Sequence, residues 1–246
     1  MTESALTVDN LTVRFGGIVA LADVSLTVRA GSRHGILGPN GSGKTTLFNA
    51  ITGMIMPQSG RVLLAGREIT RLAPHARVSL GLARTFQITS LFPSLTAREN
   101  VVLAALPALR RHRGAWRPAA DREVAERADR LLTDLGLSHL ADRPVVSLGY
   151  GEQRQLEIAV ALATNPRVLL LDEPTAGLSA AETRTVVSLI QRLPADLTIV
   201  LIEHDLGVVF DLADHLTVLA HGERIADGPA RFVREDPIVK EVYLGG

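Results

Sequence analysis

Apolar and polar positions alternate through the first third of the chain. Leu6, Val8, Leu11 and Val13 stand between polar neighbours, and Val24, Leu26 and Val28 alternate strictly, so residues 6–37 read as short strands. Ile36-Leu37 runs directly into a glycine-rich stretch. Beyond it, residues 44–52 read as a helix closed by Gly53. Pro57-Gln58-Ser59-Gly60 has the composition of a turn, and residues 61–64 form another strand pattern.

The pattern changes after Gln87. Thr96-Ala97-Arg98-Glu99 is a capping box, with Thr at the cap and Glu three residues on, so a helix is expected to start there. Val124, Ala128, Leu131, Leu132 and Leu135 recur at helical spacing. The stretch 88–150 therefore reads as a helical insertion. Strand–helix alternation resumes with a helix at 152–163, a strand at 168–171, a helix at 181–192 and a strand at 198–202. Alternation of this kind implies a mostly parallel sheet with crossover helices, whose ligands sit at the carboxyl ends of the strands. The expected organisation is one domain over 1–246, with a core of 1–87 and 151–246 and a helical subdomain of about 88–150.

Composition narrows the possibilities. Hydrophobic residues make up 46% of the chain and charged ones 21%, enough for a sizeable core, and the formal net charge is zero. A general nucleic-acid binder usually carries a basic excess, so none is expected as partner. With no cysteine, neither a disulfide framework nor a thiolate metal site is possible. The richest apolar runs are strand-sized, and Met1-Thr2-Glu3-Ser4 lacks the features of a signal peptide. Work at a membrane would have to go through a partner.

Only two of the 26 basic residues are lysine, Lys44 and Lys240. Lys44 sits inside Gly38-Pro39-Asn40-Gly41-Ser42-Gly43-Lys44-Thr45-Thr46, which fits the phosphate-loop pattern between a predicted strand and a predicted helix. A compact ammonium fits within a loop that wraps a phosphate, whereas a planar guanidinium does not. Backbone N–H groups of this loop would face phosphate oxygens, Lys44 would meet the β and γ oxygens, and the Thr45 hydroxyl would ligate Mg²⁺. Residues 168–171 then deliver Asp172 and Glu173 at the end of an apolar strand. Asp172 would bind the metal, and Glu173 would polarise an attacking water.

With these residues in view, the chain resembles the ATP-binding cassette (ABC) family of transport ATPases. Leu148-Gly149-Tyr150-Gly151-Glu152-Gln153 is similar to that family's signature segment, and Ala176-Gly177-Leu178-Ser179 lies where its D-loop lies. Phe15 matches the aromatic that stacks on adenine, Gln87 the glutamine that ligates Mg²⁺, and His204 the switch histidine. The matches follow the family's order over nearly the whole chain. The resemblance implies a P-loop NTPase (RecA-like) α/β core, an N-terminal antiparallel β subdomain and an inserted α-helical subdomain. It also implies ATP and Mg²⁺, a second cassette packed head to tail that completes the site, transmembrane permease subunits, and indirectly a solute-binding protein.

Two positions depart from the family pattern. The usual Leu-Ser-Gly-Gly-Gln has Gly149 for Ser and Tyr150 for the next Gly. As a cap the exchange costs only a few tenths of a kcal/mol, but a lost hydroxyl bond to a charged phosphate is worth ~1.5–3 kcal/mol. Ser179 stands where the D-loop usually carries Asp, within its own capping box Ser179-Ala180-Ala181-Glu182. Both changes would suit a heterodimer in which the partner supplies the better half-site. Within the family, Arg84-Thr85-Phe86-Gln87, Tyr150-Gly151-Glu152-Gln153-Arg154 and Ile202-Glu203-His204-Asp205 are closer to the cytosolic ATPases of branched-chain amino-acid importers. Importers of urea and related amides, and non-transport ABC ATPases, are the alternatives. The cluster Arg110, Arg111, Arg113 and Arg117 reads as a solvated loop, balanced by Asp121, Glu123 and Glu126.

Overall fold

The computed structural model of the chain describes residues 3–85, 91–113 and 118–244, with backbone alone described at 107–113, 118–121 and 243–244. In chain order the elements are β1 (Ser4–Phe15), β2 (Ile18–Arg29), β3 (Arg33–Leu37), α1 (Lys44–Thr52), β4 (Ser59–Leu64), β5 (Arg67–Glu68), α2 (Pro74–Ser79) and β6 (Leu82–Arg84). There follow α3 (Ala97–Arg113), α4 (Pro118–Asp134), α5 (Tyr150–Ala163), β7 (Val168–Asp172), α6 (Ala180–Gln191), β8 (Thr198–Ile202), α7 (Leu206–Leu212), β9 (His215–Ala220), β10 (Glu223–Pro229), α8 (Ala230–Val233) and α9 (Pro237–Leu244). Two compact units result: Met1–Arg84 with Arg167–Glu173 and Leu193–Gly246, and Thr85–Pro166 with Pro174–Arg192.

The first unit holds two sheets. An antiparallel one has the order β2-β1-β4-β5, and a six-stranded one has the order β10-β9-β3-β8-β7-β6. In the second, β9, β3, β8, β7 and β6 run parallel, and β10 joins antiparallel at one edge. Every residue of β7 and β8 is buried, as unbroken apolar runs between two covered faces require. The alternating N-terminal segments are not short strands but one long ribbon. The three-residue step from Val8 to Leu11 breaks the period of two, and both stay fully inward because the strand bulges between them. Asn10 absorbs the extra residue at φ 49°, and its amide donates to Asp23 Oδ1 at 2.7 Å on the facing strand.

The helix that follows the glycine loop is anchored at its far end by a buried arginine. Arg77 of α2 donates to Ala50 O (2.8 Å), Ile51 O (2.6 Å), Thr70 O (2.6 Å) and Leu72 O (2.9 Å). Carbonyls at a helix C-terminus lack intrahelical partners, and a cation there also meets the negative end of the macrodipole. A β-carbon on Gly53 would fall 2.7 Å from the Arg77 Nε, so this stop position needs glycine for space as well as for its φ of 81°.

In the second unit α3 packs with α4 and α5, and α5 with α6. The expected start of α3 is built as a capping box: Thr96 N–H donates to Glu99 Oε2 at 2.7 Å, and Glu99 N–H to Thr96 Oγ1 at 3.2 Å. Val124, Ala128 and Leu132 form the buried stripe of α4, and Leu135 is buried just past its end. Residues 91–150 lie in this unit together with α5 and α6. Among the described residues, no helix is long and apolar enough to cross a membrane.

Candidate nucleotide site

The strand register sets the level of the site. Ile36 of β3 pairs with Ile202 of β8, and Ile202 pairs with Asp172 of β7, so three neighbouring parallel strands end at one height. Gly38, Glu173 and Glu203 leave the sheet from that common edge, the place where open α/β sheets hold ligands.

The glycine loop is too tight for side chains at its base. A β-carbon on Gly38, where φ is 152°, would lie 2.2 Å from Leu219 O and 2.5 Å from Ser42 Oγ. Gly43 caps α1 at φ 102° and offers no side chain to the helix's first N–H groups. Those donors and the positive end of the helix dipole are groups that can accept an anion. The loop also contains a buried hydroxyl, Ser42 Oγ, with no hydrogen-bond partner among the described residues. Lys44 is 5% exposed, and its ammonium donates to Gly38 O at 2.7 Å and Pro39 O at 2.9 Å. Burial lowers the Lys44 pKa, while the nearby Glu173 and Asp172 carboxylates oppose the shift. Asn40, Gly41 and Thr45 are exposed, and Pro39, Gly43 and Thr46 are half-buried.

Asp172 ends β7 almost fully buried. Burial raises its carboxyl pKa, and the Arg84 guanidinium, bonded to Oδ2 at 2.6 Å, pulls it back down. Glu173 follows in the left-handed region at φ 50°. That conformation costs a non-glycine residue roughly 1–3 kcal/mol and persists only where its surroundings enforce it. Its N–H donates to Ile202 O at 2.9 Å, and its Oε1 accepts from His204 Nε2 at 2.5 Å. His204 thus meets Glu173 across adjacent strands.

Phe15 ends β1 opposite Ile18 across a Gly16-Gly17 turn and is half exposed, which suits a stacking surface rather than core packing. The same ribbon touches the loop, since a β-carbon on Gly43 would lie 2.7 Å from Ala20 O. Gln87 lies outside the described residues. For a hard cation, the Thr45 hydroxyl on the first turn of α1 and the Asp172 carboxylate are both oxygen donors of the kind Mg²⁺ takes, so the residues present fit that ion.

Residues Leu148 to Glu152 belong to the second unit. Gly149 caps α5 in extended conformation (φ −64°, ψ 159°), and its N–H donates to Glu152 Oε2 at 2.8 Å. The helix therefore begins at Tyr150, so Tyr150, Gly151 and Glu152 form its first turn instead of preceding it. Leu148 is buried beneath. The Tyr150 hydroxyl bonds Arg154 Nη2 at 2.5 Å, with the guanidinium 4.9 Å from the tyrosine ring centroid. Arg154 pairs in turn with buried Glu157 at 2.8 Å. The Ser179 capping box forms as expected, with Ser179 N–H donating to Glu182 Oε2 at 2.9 Å. Glu182 also accepts from Gly151 N–H at 3.3 Å, and a β-carbon on Gly151 would sit 2.8 Å from Glu182. The two segments that depart from the family pattern therefore touch: Glu182 joins the starts of α5 and α6.

The partners of Arg84, Arg154 and Glu182 are what pattern reading did not give. Arg84 ends a short strand and Arg154 lies within a helix, positions where arginine carries no local signal. Glu182 was legible as a cap but not as a bridge. The Arg110–Arg117 side chains fall outside those described.

Comparison with known proteins adds to this geometry. A family profile described as ABC transporter matches residues 21–176. The high-affinity branched-chain amino acid transport ATP-binding protein BraF of Pseudomonas aeruginosa is 40% identical over 253 residues, spanning 100% of this chain and 99% of its own. LivG of Escherichia coli, with the same description, is 37% identical over 261 residues, spanning 100% and 99%. Among solved structures, the ADP conformation of MJ1267, an ATP-binding cassette of an ABC transporter, superposes with a TM-score of 0.86 at 34% identity over 100% of both chains. A dimeric post-hydrolysis structure of the cassette MJ0796, bound to ADP and Pi, gives a TM-score of 0.77 at 29% identity over 92% of this chain and 99% of that one.

Proposed function

The chain belongs to the ABC transporter family and is an ATPase of that family, and from that premise we propose that it powers import of a branched-chain or related amino acid. Full-length likeness to two branched-chain amino acid transport ATP-binding proteins supports this cargo over urea and amides. In this reading the glycine loop, Gly38 to Thr46, cradles the nucleotide phosphates, with Lys44 turned from its own loop carbonyls toward the β and γ oxygens. Phe15 stacks on the adenine. Thr45 and Asp172, with Gln87, hold Mg²⁺, which supplies charge neutralisation for the phosphates when bound.

Glu173 is the general base, and His204 holds its carboxylate. The single observation that carries this assignment is the short His204–Glu173 contact at the common strand edge, with Glu173 in a left-handed backbone conformation. Leu148, Gly149, Tyr150, Gly151 and Glu152 serve the other half of the device. The α5 N-terminus meets the γ-phosphate held by a second ABC subunit, where a helix dipole offsets developing negative charge. Dimer closure is transmitted to permease subunits at the inner face of the membrane, and a solute-binding protein delivers the cargo to them.

The test is Glu173→Gln in the purified chain. Turnover is expected to fall at least ~100-fold, consistent with the contribution of a positioned base, while ATP-bound dimers accumulate on gel filtration. Near-normal hydrolysis in that variant would remove Glu173 from the role. Cargo is tested separately, by reconstituting the chain with its permeases in vesicles and following uptake of labelled leucine against urea.

A further inference from the structure

We infer that Arg84 is a positioning residue for the metal-binding end of the site, locking the Asp172 carboxylate against α1. The inference rests on the reading of Asp172 as a magnesium ligand. Arg84 is the last residue of β6, with its side chain 7% exposed and that of Asp172 0%. One guanidinium nitrogen, Nη2, donates to Asp172 Oδ2 at 2.6 Å, and the other, Nη1, donates to Asn49 Oδ1 at 2.6 Å. The cation also lies 5.6 Å from the ring centroid of Phe48. Phe48 and Asn49 belong to α1, the helix whose first turn carries Lys44 and Thr45.

One planar group therefore fastens the end of β6, the carboxylate at the end of β7 and the phosphate-loop helix to one another. The fork is what allows it: two acceptors on two elements are met at once in fixed geometry, which a single ammonium cannot reproduce. A stabilising role alone is a poor explanation, because a buried ion pair often contributes no more than apolar residues of similar volume. The neighbours Leu82 and Ala83 pack β6 in just that apolar manner. A carboxylate whose Oδ2 is held has its plane set before a cation arrives. Outer-shell partners of this kind are worth about 10–100-fold in metal affinity. Against this, the positive charge of Arg84 repels a divalent cation, so the two effects have opposite signs and the experiment decides between them.

Binding of a non-hydrolysable ATP analogue is measured by calorimetry, first in EDTA and then across a Mg²⁺ series, for wild type, Arg84→Lys, Asn49→Ala and Asp172→Asn. Arg84→Lys keeps the buried charge, and Asn49→Ala removes only the α1 anchor, so both test the lock without stranding Asp172. The expected result is a half-saturating Mg²⁺ concentration raised about tenfold in Arg84→Lys and several-fold in Asn49→Ala, with affinity in EDTA within about twofold of wild type. An unchanged or lowered Mg²⁺ requirement in both variants overturns the inference, as does an equal loss with and without metal, which would make Arg84 a support of the loop alone. Asp172→Asn separates the two readings. If its Mg²⁺ requirement is unchanged, the ligand assignment itself fails; if it rises while the Arg84 and Asn49 variants stay normal, only the positioning role does.

Discussion

His34, in the strand that leads into the glycine loop, makes the first unit acid-sensitive by an amount that can be worked out. It is 1% exposed, and its Nε2 lies 2.8 Å from Thr217 Oγ1, which itself donates to Asp227 Oδ1 at 2.6 Å. An ionised carboxylate only accepts, so the threonine hydrogen goes to Asp227 and the His34 Nε2–H donates to Thr217. The remaining neighbours are the His215 ring, 4.9 Å away between centroids, and Arg224, 3.9 Å from Asp227. Burial first, then the His215 charge, lower the His34 pKa from 6.5 to about 4, against an opposing pull from Asp227. Between these two values the unfolded chain binds a proton that the folded chain refuses. Stability is therefore undiminished well above pH 6.5 and falls as pH drops toward 4, the loss reaching about 2 kcal/mol at pH 5 and about 3 kcal/mol at pH 4. His34→Gln keeps a donor without the titration. Urea unfolding of both proteins, followed by circular dichroism from pH 7.5 to 5, is expected to show the wild type losing about 2 kcal/mol more than the variant over that range. Parallel pH dependences would refute the reasoning.

Lys44→Ala removes the loop's only cation and should weaken ATP binding at least about tenfold by calorimetry, since hydrogen bonds to charged groups contribute about 1.5–3 kcal/mol each; unchanged affinity would sink the loop assignment. Gly149→Ser should leave hydrolysis intact or raise it, because a β-carbon there meets nothing closer than Glu152 Oε2 at 3.8 Å and the backbone already has cap geometry. A complete loss of turnover would mean that glycine itself is required. Arg77→Ala strands the buried carbonyls of Ala50, Ile51, Thr70 and Leu72 and should cost about 3 kcal/mol or more, read as a fall in the thermal midpoint; a change under about 0.5 kcal/mol would show that water replaces the guanidinium.

Features set by neighbouring residues were legible in the chain. The glycine loop, the carboxylates after an apolar strand and the two capping boxes at Thr96 and Ser179 depend on spacings of a few residues, and backbone geometry converts those spacings directly into structure. The bulge at Asn10 was not legible, since the missed step between Val8 and Leu11 reads equally as a break between short strands. Partnerships across the chain were not legible. Arg84 and Asp172 lie 88 positions apart, and His34 and Thr217 lie 183 apart. Gly151 and Glu182 meet only because α5 packs on α6. Alternation says that strands and helices follow one another, but not which strand lies beside which or in what register. Those two choices bring Ile36, Ile202 and Asp172 level, and they set Arg84, an arginine that looks like many others, against the buried Asp172 carboxylate. Charge pairing depends on distance in space, which strand order and packing decide once the local elements exist.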